Sequence, residues 1–225
     1  MAQSSVRLRL GAIALGVCGL LFAVFPFLRP FFPLDVFSPN VAAMASGPLA
    51  SASWLIAHLL LMAAFALLPC ALLAIYAALA DGPTESRALR GLILGVAGTG
   101  FVVPAVGVEV FAMPVIARLY LEGVTGVAPA LKWIYWGPMT LVMIVGLMAL
   151  AIGAIELARA TWRSGVLPGW AGVALAAGLA LWLPLLPRAV RIVDGLTIGF
   201  GGLWLAWAIW RKGARRALAH EFARR

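Results

Sequence analysis

The chain has 225 residues, of which 64% are hydrophobic and 11% charged, with a mean hydropathy of +1.05. A water-soluble core of this length does not need so much apolar surface, so the composition excludes an ordinary soluble globular domain. The net charge of +9 would suggest nucleic acid in a soluble protein. Here the basic residues flank apolar runs, so the expected partner is the lipid bilayer and not nucleic acid.

Six apolar runs fill nearly the whole chain: Arg9 to Leu28, Trp54 to Ala80, Gly91 to Ala117, Lys132 to Ala160, Gly169 to Pro187 and Val193 to Trp210. Each reaches or approaches the ~20 residues of a bilayer-spanning helix. In lipid every backbone N–H and C=O must be satisfied within the protein, so runs of this length are helices. They lack the polar–apolar alternation of a membrane β-barrel. The expected fold is all-α, a polytopic integral membrane bundle of six transmembrane helices forming one domain over residues 1–225.

The first run follows Arg7 and Arg9 and resembles a signal peptide in its charge. It is long for one, and the nearest small-x-small stretch, Ala43-Met44-Ala45, lies about fifteen residues beyond it, so it reads as an uncleaved helix. The segment Arg29 to Ser53 is the longest connection and holds Pro30, Phe31, Phe32, Pro33, Asp35, Pro39, Asn40 and Pro48. It is expected to lie in the interface or to fold back as a cap. Asp81-Gly82-Pro83 breaks the chain between runs two and three. A short glycine-containing loop, Glu122 to Ala130, precedes run four, which carries Pro138 early. Ser164 to Gly169 turns into run five. The turn Pro184 to Arg191 is short, so runs five and six are expected to be antiparallel neighbours. Beyond them, residues 211–225 hold six basic residues and one acid, with Leu218 and Phe222 on one helical face. This tail reads as a short amphipathic helix on an anionic leaflet.

With a cytoplasmic N-terminus, twelve basic residues fall on the inner side: Arg7, Arg9, Arg87, Arg90, Arg159, Arg163, Arg211, Lys212, Arg215, Arg216, Arg224 and Arg225. Five fall on the outer side: Arg29, Arg118, Lys132, Arg188 and Arg191. This positive-inside bias predicts both termini in the cytoplasm, in a bacterial-type plasma membrane. Trp54, Trp133, Trp136 and Trp182 fall at outer ends and Trp162, Trp170, Trp207 and Trp210 at inner ends, as interfacial belts require.

Two patterns bear on packing. Gly91/Gly95 and Gly195/Gly199 are G-x-x-x-G pairs, which let helices approach closely. The series Leu15-Gly16-Val17-Cys18-Gly19, then Phe22 and Pro26, resembles Leu94-Gly95-Val96-Ala97-Gly98, then Phe101 and Pro104, at an offset of 79. Ala177, Gly178 and Pro184 continue it at an offset of 80 from Ala97, Gly98 and Pro104. Duplicated hairpins or chance resemblance among Gly/Ala-rich helices both explain this. Pro26, Pro104 and Pro184 kink their helices toward the outer end. The kinks either splay the bundle there or are filled by neighbours.

Glu109, in Gly107-Val108-Glu109-Val110-Phe111, is the main chemical candidate. An ionisable residue inside a span marks a functional site by default, and it must be neutral or paired there. It lies ~15 Å below the outer end of its helix. His58 lies ~10 Å below the same face, one turn after Trp54. Asp194 opens run six, three residues after Arg191, and reads first as a local ion pair. Glu109, His58 and Asp194 are the candidate catalytic groups, with Trp54, Phe111, Tyr135, Trp136 and Thr140 as candidate walls of a ligand pocket. Glu156 and Arg159 form a helical ion pair. Cys18 and Cys70 lie inside spans and imply packing, not a disulfide framework. No Cys/His spacing for a metal, phosphate-binding glycine loop or cofactor motif is present, so no metal or cofactor is expected.

Three functions remain open. One is a pocket in the outer half for a lipophilic small molecule, with isomerase- or cyclase-type proton chemistry on Glu109. Another is a non-catalytic sensor or assembly subunit. The third is a transporter of a lipophilic molecule; the nearly unbroken apolarity of the inner halves argues against an ion path.

Overall fold

The computed structural model describes residues 2–31, 44–45, 47–182 and 187–222. Among these, the regular elements are all helical: α1 Ala2–Leu28, α2 Ala52–Leu79, α3 Glu85–Leu121, α4 Ala128–Trp136, α5 Pro138–Ser164, α6 Gly169–Leu181 and α7 Arg188–Phe222. A 3-10 turn, Thr125–Val127, leads into α4. Five stretches are long and apolar enough to cross a membrane: α1, α2, α3, Pro129–Ser164 and α7. This is a multi-pass membrane helix bundle.

The helices differ from the six apolar runs at three places. The fourth run breaks into α4 and α5 at Gly137, whose backbone is extended (φ −92°, ψ −172°). Proline at 138 has no N–H and disfavours a helical residue before it, yet suits the first position of a new helix. A side chain at Gly137 would collide with the Trp133 carbonyl. The fifth helix, α6, has only 13 residues, or ~20 Å, against a hydrocarbon core of ~30 Å. It ends at Leu181; Pro184 lies outside the described residues. The sixth, α7, runs 35 residues without a break. Residues Arg211 to Phe222 therefore continue α7 and are not a separate surface helix; 223–225 lie outside the described residues. Lys212 Nζ donates to the Ala78 carbonyl at 2.6 Å, which satisfies one of the orphan carbonyls at the end of α2.

Neighbours in sequence are neighbours in space, and the last helix closes on the first, giving the ring α1–α2–α3–α5–α6–α7. Each pair is antiparallel. Gly11 meets Ala74 while Phe22 meets Phe65; Gly91 meets Leu157 while Gly98 meets Gly146; Gly16 meets Ala206 while Gly195 meets Phe22 and Pro26. The start of α1 and the end of α7 therefore lie at one end of the bundle, called the termini end. The opposite one is the Arg29 end.

Two glycine seams set the ring. A methyl on Gly98 would sit 2.5 Å from the Gly146 carbonyl oxygen, and one on Gly153 would sit 2.5 Å from the Gly95 nitrogen. Along the other seam, Gly19 faces Gly199 and Gly202. Backbones this close gain dispersion along the whole seam, the main attraction available between helices in lipid. Both G-x-x-x-G pairs are thus used inside the protein. Gly98 and Gly178 face their hairpin partners α5 and α7, but Gly19 faces α7, not its partner α2. The sequence repeat does not map onto one repeated contact.

The outer surface is apolar: Ile93 (59% exposed), Met148 (60%) and Phe200 (59%) point outward. A soluble protein rarely displays a continuous surface of this kind; lipid covers it here. At the Arg29 end, Met44, Ala45 and Leu49 are buried against Trp54, Met113, Ala117 and Leu131. This part of the long connection folds back as a cap. Pro26 is filled against by Gly195 of α7, and Pro104 faces outward.

Candidate functional site

Polar side chains gather inside the bundle at the Arg29 end, contributed by α1, α2, α3 and α7. The local sequence sets up α2 first. Ser51 Oγ accepts from the Trp54 N–H at 3.1 Å and donates to the Pro48 carbonyl at 2.7 Å. This N-cap fixes where α2 starts, and so fixes the rotation of Trp54 and His58. Four residues apart, they share a face. Their rings stack at 3.9 Å, and both are buried.

His58 Nδ1 lies 2.8 Å from the Trp54 carbonyl oxygen. A carbonyl only accepts, so Nδ1 carries a proton and donates it. In the neutral ring the lone pair is then on Nε2, which lies 3.8 Å from Glu109 Oε2. That distance is too long for a hydrogen bond and short enough for an ion pair. A proton placed between the two can sit on the carboxyl or on the imidazole. Trp54 ties the two helices together from the other side, since its Nε1–H donates to the Glu109 backbone carbonyl at 2.9 Å.

Two arginines lie beside this couple. Arg29, 7% exposed, closes α1 with its N–H on the Phe25 carbonyl at 3.0 Å. Its guanidinium stands 5.3 Å from the Trp54 ring and 4.9 Å from Phe31. Arg191, in the first turn of α7, is fully buried over Trp182 at 4.3 Å. Its Nη1 is 3.6 Å from Asp194 Oδ2. Arg29 and Arg191 both act electrostatically on His58 and Glu109. An aromatic ladder backs the cluster: Phe22 on Phe65 at 5.1 Å, and Phe65 on Trp182 at 5.1 Å. Phe25 meets the His58 ring edge-on at 5.5 Å.

The hydrogen bonding is unfinished. Among the described residues, Arg191 Nε and Nη1 and both carboxylate oxygens of Asp194 are buried and have no hydrogen-bond partner, the Nη1–Oδ2 ion pair at 3.6 Å being too long to count as one. Buried polar atoms are nearly always satisfied, so four together call for a partner.

Of the sequence candidates, His58 and Glu109 meet directly. Asp194 joins through Arg191, which feels both acids. Trp54 belongs to the cluster. Phe111, two residues beyond Glu109, is 62% exposed and points to the outside of the bundle. Trp136 is 52% exposed at the end of α4. Thr140 donates to the Ile134 carbonyl at 3.2 Å and stitches the α4–α5 corner. The side chain of Tyr135 lies outside the described residues. Arg29 and Trp182, which the sequence places among the outer charges and the belt tryptophans, are buried in the cluster instead, and so is Arg191, the expected ion-pair partner of Asp194. A signal existed for Arg191: with Asp194, Ile198, Leu205 and Ile209 it falls on one helical stripe, all of it buried.

Among the described residues, no three His, Cys, Asp or Glu side chains gather as metal ligands. Cys18 donates its thiol hydrogen to the Ala64 carbonyl at 3.3 Å, and both cysteines are free. Comparison with protein-family models, curated proteins and solved structures finds no match.

Proposed function

We propose that this bundle binds a lipophilic small molecule by its polar head, in the cluster of Arg29, His58, Glu109, Arg191 and Asp194. One observation carries the reading: among the described residues, the hydrogen-bonding capacity of the buried Arg191 and Asp194 is unfilled. A head with both donor and acceptor atoms would satisfy it, and the aromatic ladder would flank the apolar part.

The His58–Glu109 couple supplies the chemistry. A protonated Glu109 gives its proton to one carbon of an alkene in the ligand, which leaves a carbocation on the other, and the carboxylate or His58 Nε2 then takes a proton from the carbon on the far side of that cation. The double bond moves, and no atom is gained or lost. This is isomerase-type general acid–base catalysis. The test is to identify what copurifies, by mass spectrometry of extracted small molecules, in wild type and Glu109→Gln. The reading expects Glu109→Gln to keep the ligand and to stop its conversion. Loss of thermal stability without any ligand in either protein would refute it.

A second reading has its own support. Trp54 binds both the Glu109 carbonyl and, through its own carbonyl, His58. Such a clamp fixes the register of α2 against α3 without any ligand, as suits a sensor or assembly subunit. Under this reading Glu109→Gln lowers the melting temperature, and no small molecule copurifies.

We also propose that both termini face the cytoplasm. Of the five basic residues assigned to the opposite side, Arg29 and Arg191 are buried. That leaves Arg118, Lys132 and Arg188 against twelve, and the positive-inside rule then favours this orientation more strongly. Reporter fusions at the C-terminus that are active only outside the cytoplasm would overturn it.

A further inference from the structure

At the termini end, on the outside of the bundle, α5 and α6 part to form an open groove of about 560 Å³. It lies far from the polar cluster. Ile155, Ala158, Val173, Ala177 and Ala180 line it, and Arg159 is its one charged residue. Small alanines on α6 leave the space. Trp162 and Trp170 close its lower end, their rings meeting edge-on at 5.0 Å.

The groove has the dimensions of one leaflet. From Trp170 to Ala180 is ten residues, or ~15 Å along α6. This is half of a hydrocarbon core of ~30 Å. Tryptophans at this position mark the headgroup level. Arg159, three residues before Trp162, stands ~4.5 Å deeper, where its long side chain reaches back toward the interface.

The charge here is unbalanced. Glu156 is shared by three arginines: Arg159 at 3.1 Å, Arg87 at 3.4 Å and Arg90 at 3.9 Å. One acid cannot neutralise three cations, so the cluster keeps a surplus of two positive charges. Arg163, one turn beyond Arg159 on the same helix, adds a further cation.

We propose that this groove holds one anionic phospholipid of the bilayer. Its acyl chain lies between α5 and α6, and its phosphate sits on Arg159 and the surplus charge around Glu156. A zwitterionic lipid fills the same apolar groove, but its headgroup cation meets that surplus and is disfavoured. Arginine suits the phosphate because its planar fork gives two parallel hydrogen bonds. The assignment is independent of the polar cluster at the Arg29 end.

Native mass spectrometry of the delipidated full chain in detergent tests it. The probes are phosphatidylglycerol and phosphatidylcholine with identical acyl chains. Wild type is expected to retain one phosphatidylglycerol in preference to phosphatidylcholine. Arg159→Gln should lower that preference about fivefold, the effect of one basic residue at a membrane surface. Ala177→Phe should fill the groove and remove retention of both lipids. Arg118→Gln, at the opposite end, should change nothing. Equal retention of the two lipids by wild type, or unchanged retention in Arg159→Gln and Ala177→Phe, would overturn the proposal. The two variants act on different parts of the site, so poor expression of one leaves the other decisive.

Discussion

Removing the Asp194 carboxylate is the sharpest probe of the polar cluster. Asp194→Leu keeps the branched shape, though bulkier, and leaves Arg191 buried, 2% exposed, without its ion-pair partner at 3.6 Å. Breaking a buried pair on one side costs about 3–5 kcal/mol, because the remaining charge is uncompensated. Glu109 also attracts Arg191, so the lower half of that range is expected. For a chain of this size it corresponds to a fall of roughly 6–15 °C in melting temperature. The double variant Arg191→Met/Asp194→Leu removes both charges and fills the site with apolar side chains of similar shape, and replacing a whole buried pair by apolar groups is often neutral or stabilising. It should melt within about 3 °C of wild type. Tryptophan fluorescence during a thermal ramp in detergent reads both. The proposed ligand should be lost from the double variant although its stability is restored. A single variant as stable as wild type would refute the pairing, and a stable double variant that retains the ligand would refute the binding role of the cluster.

Other substitutions test the frame around it. Gly98→Leu forces a side chain against the backbone of Gly146 and Leu150, where a methyl would already sit 2.5 Å away; backbone cannot step aside, so at least about 1–3 kcal/mol is lost. Gly107→Ala, with open space around it, should leave the melt unchanged or slightly raised, and equal melts for the two would contradict the seam. Trp54→Phe removes the Nε1–H bond to the Glu109 carbonyl and should cost about 1 kcal/mol in denaturant titration; no loss would mean the clamp does not hold α2 to α3.

Hydropathy along the chain was enough to identify the solvent and the helical class. An apolar run of about 20 residues has few stable alternatives once water is absent, and five of the helices are long and apolar enough to span. The Gly137-Pro138 break follows from the geometry of proline and the residue before it, but the unbroken apolarity of Lys132 to Ala160 concealed it. Glu109 and His58 stood out because a charge or an imidazole inside a span is rare on any face of a helix. Arg29, Arg191 and Trp182 did not, because residues at span ends are common at the interface as well as inside.

Whether such a residue faces lipid, headgroups or a partner helix depends on the rotation of each helix and on which helices are neighbours. Those are set by distant contacts. The seam of Gly19 on Gly199 and Gly202 turns α7 so that Arg191 and Asp194 point inward. The Ser51 cap turns α2 so that His58 meets Glu109. Hydropathy and the rare ionisable residues within spans marked the helices and, as candidates, Glu109, His58, Asp194 and Trp54. That Arg29, Arg191 and Trp182 are buried with them was decided by the closed ring, because burial of a side chain is a property of neighbours and not of position along the chain.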